Sequence, residues 1–208
     1  MAINNREDLI TYVLTTANRT GDQDLVDSMG GFISIVESVF STTLRTPSNE
    51  TNLTYTTNSD GQLLIPEDYL EAKFLKVQTD QGNVILNRVS EEQGTAIEVN
   101  NGNIKYPTGF YRLGNVFQVV PSVGSCTVSL QYYTVVNGLT DSTDTNFVLR
   151  MYPQVYVYGL MQEISSFLKD EDRANYWGKR FTTAVARLQS IEDKAALSGS
   201  TLQVSPVY

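Results

Sequence analysis

The feature that most constrains this chain is residues 146–197, which carry two apolar stripes of helical period separated by one short charged break. After Pro153 the apolar residues fall at Val155, Tyr156, Leu160, Ile164, Phe167 and Leu168, the spacing of one buried helix face. Lys169, Asp170, Glu171 and Asp172 interrupt that stripe. Asp170 reads as a helix N-cap, with Glu171 and Asp172 in a first turn where the peptide dipoles favour negative charge. The second stripe is Trp177, Phe181, Ala184, Val185, Leu188, Ile191 and Ala195, and Gly199 ends it. Two long helices joined by so short a turn must lie antiparallel. The hairpin therefore anchors whatever the preceding residues build.

The N-terminal residues supply a matching pair. Over 6–18, Leu9, Ile10, Val13, Leu14 and Ala17 share a face, and Glu7 and Asp8 lie near the start of a first helix. Over 22–44, Leu25, Met29, Phe32, Ile33, Val36, Val39, Phe40 and Leu44 form one stripe. Gly30 and Gly31 interrupt this second helix, and each mid-helix glycine costs about 0.5–1 kcal/mol relative to alanine. Close packing against another helix is the expected reason, with a hinge as the alternative. Residues 46–52 read as a linker.

From 53 to 136 the pattern changes to short strands with turn signals. Residues 62–65 lead into Pro66, which is expected to start one short turn of helix. Ala72, Phe74 and Val77 alternate imperfectly, and Gly82-Asn83 separates that strand from Val84, Ile85 and Leu86 as a hairpin. Asn101-Gly102 is the strongest two-residue turn signal. Residues 106–112, 115–120 and 128–136 read as further strands. The predicted class is α+β. A bundle of four helices, from 1–50 and 141–199, carries a small antiparallel β-insert over 51–140 and an extended C-terminal arm over 200–208.

Composition narrows the chemistry. The chain has 208 residues, a formal charge of −8, no histidine and one cysteine. Without histidine it lacks the usual general base near neutral pH, and with one cysteine as well a zinc site is out of reach. Cys126 lies in a strand-like run and reads as a small packing residue. Acidic residues outnumber basic ones in each of 1–50, 51–140 and 141–208, so no region has the electrostatic footprint of a nucleic-acid groove. An acidic surface would suit a passage that DNA crosses without sticking. No run approaches a membrane span, and the N-terminus lacks a basic region followed by an apolar one, so no signal peptide is expected. The glycosylation patterns at Asn18, Asn49 and Asn52 then carry little weight.

Candidate chemistry is sparse. Residues 141–146 place oxygen ligands at short spacing but lack the central glycine and distal glutamate of a calcium loop, so Asp144 or Thr145 is expected to cap a helix. Glu91-Glu92 and Glu192-Asp193 diverge on either a strand or a helix, which makes solvated surface the better reading than an acid–base pair. No phosphate-binding loop or nucleophile elbow is present. No catalytic, cofactor-binding or metal-ligating residue is therefore expected, and no cofactor.

The order of landmarks is more informative. Leu64-Ile65-Pro66-Glu67-Asp68-Tyr69-Leu70 is followed by Tyr106-Pro107-Thr108-Gly109-Phe110-Tyr111, Val119-Val120-Pro121, Gln131-Tyr132-Tyr133-Thr134 and Gly138-Leu139-Thr140-Asp141. The series continues through 149–160 and 167–172. This ordered set resembles the head-to-tail adaptor (connector) proteins of tailed bacteriophages, from about residue 60 to the C-terminus. The resemblance implies a structural virion protein at the head–tail interface, made in the host cytoplasm. It implies a homo-oligomeric ring of about twelve neighbouring copies bound beneath the portal protein, closed by heterologous contacts. Such a ring extends the DNA channel, lets DNA pass without sequence-specific binding and docks a tail or nozzle protein. It implies no catalysis and no membrane span. Gly159 and Gly178 depart from what the last two helices would favour.

The last residues, Leu202, Gln203, Val204, Val207 and Tyr208, alternate apolar positions without charge. They read as an arm that adds to a neighbour's sheet edge or fills a groove on the portal. Tyr152, Tyr156 and Tyr158 read as core and interface rim, and Trp177 as core. The alternative function is a non-catalytic surface- or carbohydrate-binding β-module on a helical stalk. A histidine-free glycosidase is a distant third.

Overall fold

A computed structural model of the protein describes residues 2–100 and 104–197. The elements run α1 (Arg6–Thr16), α2 (Gln23–Thr43), β1 (Glu50–Thr56), β2 (Gln62–Leu64), β3 (Tyr69–Thr79), β4 (Gly82–Arg88) and α3 (Glu91–Val99). They continue with β5 (Gly109–Leu113), β6 (Val116–Val120), β7 (Thr127–Thr134), α4 (Phe147–Met151), α5 (Pro153–Phe167) and α6 (Glu171–Leu197). The chain is mixed α+β and divides into two units, one of residues up to Ser48 with those from Val136 on, the other spanning Asn49–Val135.

In the helical unit, every helix but α5 starts where a side chain satisfies one of its first N–H groups. The Asn5 side chain accepts from the Asp8 N–H at 2.9 Å, and Asp22 accepts from Leu25 at 3.2 Å. Pro153 begins α5, where its missing N–H costs nothing. Asp170 caps α6 as its sequence suggests, accepting from the Arg173 N–H at 3.1 Å. The turn before it is closed by Lys169 at φ 57°. The apolar stripes meet in one core. Leu9, Val13, Leu25, Met29, Phe40, Leu44, Val155, Tyr156, Leu160 and Leu188 have no exposed surface. Phe40 packs edge-on against Tyr156, with ring centroids 5.0 Å apart.

Three details of this unit differ from the expectations. The short helix α4 precedes α5, and Asn146 caps it, accepting from the Leu149 N–H at 2.9 Å. Asp144 instead folds its own turn, its carboxylate accepting from the N–H groups of Thr140 and Asp141 and from the Thr140 hydroxyl at 2.7–2.9 Å. Finally, α2 runs through Gly30 and Gly31 without a break, and neither position is crowded. A methyl group on Gly30 would meet an Arg6 side-chain nitrogen at 3.7 Å, and one on Gly31 would meet nothing within 4 Å.

The β-unit is one seven-stranded sheet of order β1-β7-β3-β4-β5-β6-β2. The β3–β4 hairpin forms with Val77 opposite Val84. Inward alternation builds its core from Leu63, Ile65, Leu75, Val77, Leu86, Phe110, Phe117, Val119, Val128, Leu130 and Tyr132. Register shifts between Tyr69 and Glu71 and between Ala72 and Phe74 reset the phase of β3, which is why its period looked imperfect. The sheet is not purely antiparallel, because β4 and β5 pair in parallel at Asn87–Gly109 and Arg88–Phe110. Helix α3, not anticipated, lies between them in sequence and supplies the connection a parallel pair needs. Pro66 opens a turn, closed by the Tyr69 N–H to Pro66 C=O bond, and not a helix. Within the expected linker, Glu50 already belongs to β1.

Candidate interaction site

An open depression of about 670 Å³ in the helical unit runs along one side of α6. Tyr158 from α5 and Tyr176, Lys179, Arg180, Arg187 and Ile191 from α6 line it, with Met151 and Tyr152 at one end. The spacing of α6 explains the arrangement. Phe181, Val185 and Leu188 take the buried stripe, and Tyr176, Lys179, Arg180, Arg187 and Ile191 project from the exposed side. Arg180 is the organising residue. Its guanidinium lies 5.6 Å from the Tyr158 ring centre, 5.0 Å from Tyr176 and 5.7 Å from Trp177. Tyr158 also stacks on Trp177 at 5.7 Å. Three cations, two exposed tyrosine and methionine bodies and no carboxylate make a surface suited to an anionic, partly apolar partner.

The second cluster is internal. Glu37 Oε1 accepts from the Tyr156 hydroxyl and from the Leu139 N–H, both at 2.9 Å. Asn146 Nδ2 donates to the Tyr156 oxygen and to the Asn137 carbonyl, both at 2.7 Å. Burial pushes the Glu37 carboxyl above its usual range, and the bonds from Leu139 and Tyr156, with the charge of Arg6, offset part of that. Burial also holds the Tyr156 phenol far above its ordinary value. This node ties residues 137–146 to α2 and α5.

Because the folded state raises the Glu37 pKa, the folded protein binds that proton more tightly than the unfolded chain. Its contribution is therefore most favourable below the ordinary value of 4.5 and is lost as pH rises through the folded value. Glu37→Gln keeps the acceptor oxygen and removes the charge. The variant is expected to gain stability relative to the parent as pH climbs from about 4.5 towards 7. Urea unfolding of both proteins at the two pH values checks this, and a pH-independent difference would contradict it.

The three tyrosines read together from the sequence separate. Tyr156 is core, Tyr152 donates to Glu192 Oε1 at 2.9 Å, and Tyr158 belongs to the groove. Trp177 is half-buried, packed against the helical core and stacked on Tyr158. Glu192 also accepts from the Ser48 hydroxyl, while Asp193 accepts from Gln189, so these neighbours point to different partners. Glu91 and Glu92 occupy the first turn of α3 behind a Ser90–Gln93 capping box. Cys126 Sγ lies 3.5 Å from the Thr57 hydroxyl. Leu202, Gln203, Val204, Val207 and Tyr208, and the Asn101-Gly102 turn, lie outside the described residues. Among the described residues, no helix is long and apolar enough to cross a membrane, and no three acidic, cysteine or histidine side chains are grouped to hold a metal.

The sequence pattern did not reveal the groove, because Arg180 meets Tyr158 only through the hairpin's geometry. Its cations were visible, but which helix face they share was not. The family model described as SU10 adaptor protein matches residues 4–204, nearly the whole chain. No curated protein matches it.

Proposed function

Because the chain belongs to the SU10 adaptor protein family, we propose that it is a structural bacteriophage protein that works as a head-to-tail adaptor without catalysis. The observation that carries this reading is the family match over residues 4–204. In this proposal α1, α2, α5 and α6 act as a four-helix bundle, a rigid wedge that packs beside copies of itself. About twelve copies form a ring beneath the portal at the head–tail interface, each pair joined by a heterologous contact. The ring continues the DNA channel, DNA passes without sequence-specific contacts, and a tail or nozzle protein docks on its far side. The net charge of −8 supports passage without sticking. The open groove on α6 supports a role in contacts between proteins.

Electron microscopy of intact particles tests the reading. A ring of this chain between portal and tail is the expected image, and its absence from the particle would refute the proposal. The arm of Leu202, Gln203, Val204, Val207 and Tyr208 is proposed to add to a neighbour or to the portal. Deleting 200–208 is expected to leave the melting temperature of the free protein unchanged and to abolish its incorporation into particles. Particles that assemble normally with the truncated chain would exclude a role for the arm.

A further inference from the structure

The groove on α6 and the outer face of α2 carry opposite charge, and among the described residues neither the groove's cations nor Asp24 and Asp27 form an ion pair within the chain. Between Asp172 and Glu192, α6 holds Arg173, Lys179, Arg180 and Arg187 and no acid. From Thr20 to Leu44 the chain holds Asp22, Asp24, Asp27 and Glu37 and no cation. Arg173 pairs with Asp170 at 3.3 Å, but among the described residues no carboxylate lies within ion-pair distance of Lys179, Arg180 or Arg187. Among the described residues no cation lies within ion-pair distance of Asp24 or Asp27, and Asp27 accepts from the Gln23 amide at 2.7 Å.

The two faces also match in apolar content and relief. The groove exposes Met151 at 62%, Tyr176 at 51% and Ile191 at 41%, and the α2 face exposes Ile35 at 49%. Around Ile35 the exposed positions Gly31, Ser34 and Ser38 are small. They leave a shallow ridge that lets a helix approach to about 8–10 Å, the ordinary axis separation. Within α2 nothing requires glycine at 31, where a methyl group would meet nothing. On α2, Asp27 and Asp24 sit about 12 and 16 Å from Ile35 along the axis. On α6, Arg180 lies about 16 Å and Arg187 about 6 Å from Ile191 along the axis, so an apolar side chain lies beyond the cations at the C-terminal end of the groove, as Ile35 lies beyond the acids on α2.

We propose that the groove on α6 is the socket for the outer face of α2 from a second copy of this chain. Asp24 and Asp27 of the incoming helix meet Lys179, Arg180 and Arg187, and Ile35 covers exposed apolar surface in the groove. Such a contact joins one patch to a different patch on the next copy, which is the kind that closes into a ring. A nucleic-acid strand would satisfy the cations but leave Met151 and Ile191 in water, so the protein partner fits better. This inference rests on the ring-forming part of the proposed function.

The test uses the full chain. Sedimentation over a range of concentrations at low and high salt measures self-association. Arg180→Glu with Arg187→Glu, and separately Asp24→Lys with Asp27→Lys, are each expected to weaken it by about tenfold or more. The chain carrying all four changes is expected to recover association, because the attraction is restored with its signs reversed. Gly31→Leu, exposed in the free protein, is expected to keep the parent's circular-dichroism melt and to weaken association as well. A carbodiimide should join Lys179 to Asp24 or Asp27 between isotopically labelled and unlabelled copies. A chain that is monomeric at every concentration overturns the proposal. So does association indifferent to both charge reversals, failure of the four-fold change to restore it, or duplex DNA retained by the parent and lost with Arg180→Glu and Arg187→Glu. Association through another face would sink the socket and leave the ring reading standing, which falls only on the particle images.

Discussion

Replacing Gly159 with leucine is expected to unfold the helical unit under conditions where the parent is folded. Gly159 lies where α2, α5 and α6 converge. A methyl group there would sit 2.8 and 3.0 Å from the two Val36 methyls and 3.1 Å from Phe181 Cε2. Val36 and Phe181 are buried, so neither can swing aside into water. Even alanine must force the helices apart, at about 1–3 kcal/mol for overpacking a dense core. Its better helix propensity returns about 1 kcal/mol, so alanine is a net loss of up to about 2 kcal/mol. Leucine adds a branched side chain with nowhere to go, and the loss approaches the whole stability of a domain, about 5–15 kcal/mol. Gly178 makes the control. A methyl there would meet the Gln162 side-chain amide at 3.0 Å, the movable end of a flexible group. Gly178→Ala is therefore expected to be neutral or slightly stabilising. Urea unfolding followed by far-ultraviolet circular dichroism separates the cases, and a Gly159→Leu protein as stable as its parent would disprove the close approach.

That same contact shows what a single sequence can and cannot disclose. Gly159 looked like a defect in a helix, because its cost is local and its reason lies on two other helices. The stripes of α1, α2, α5 and α6 were legible because burial selects apolar residues every three or four positions over many turns. Asp170 was legible as a cap from its position before the second stripe, since a cap needs only its own next turn. In the β-unit the bulges in β3 displace the inward phase, so Leu75 and Val77 bury where Ala72 and Phe74 had set the count. Helix α3 has no apolar stripe, and only Gly94 in it is buried. Its one sequence signal was Ser90 three residues before Gln93, a capping box. Missing that helix meant missing the parallel β4–β5 pair that it connects.

The two clusters of the helical unit differ in the same way. Arg180 collects Tyr158, Tyr176 and Trp177 because α5 and α6 lie side by side, and no spacing within either helix reports the register between them. Glu37 did carry a signal, since it falls between Ile33 and Phe40 on the buried side of α2. A charge at such a position needs partners, and Tyr156 and Leu139 supply them from 119 and 102 residues away.

Asn146→Ala is expected to be the most damaging small polar change in the chain, at about 2–4 kcal/mol. Asn146 is 8% exposed and acts through both ends of its amide. The oxygen caps α4 by accepting from the Leu149 N–H at 2.9 Å, and losing a cap costs about 1 kcal/mol. The nitrogen donates to the Tyr156 oxygen and the Asn137 carbonyl at 2.7 Å. Removing it leaves the Tyr156 oxygen, buried completely, with no donor, a desolvation cost of about 1–3 kcal/mol. Asn146→Ser keeps a cap oxygen but is too short to reach Tyr156, so it is expected to recover only the first of these costs. Asn146→Asp keeps the cap and replaces the donor with a carboxylate near that of Glu37. One phenol proton then faces two anions, and the loss is expected to exceed that of alanine at pH 7 and to shrink as the pH falls. A cycle of Asn146→Ala, Tyr156→Phe and the double variant isolates the shared term. Strict additivity in urea unfolding would mean that the phenol and the amide stabilise the unit independently, and the node would lose its standing as one network.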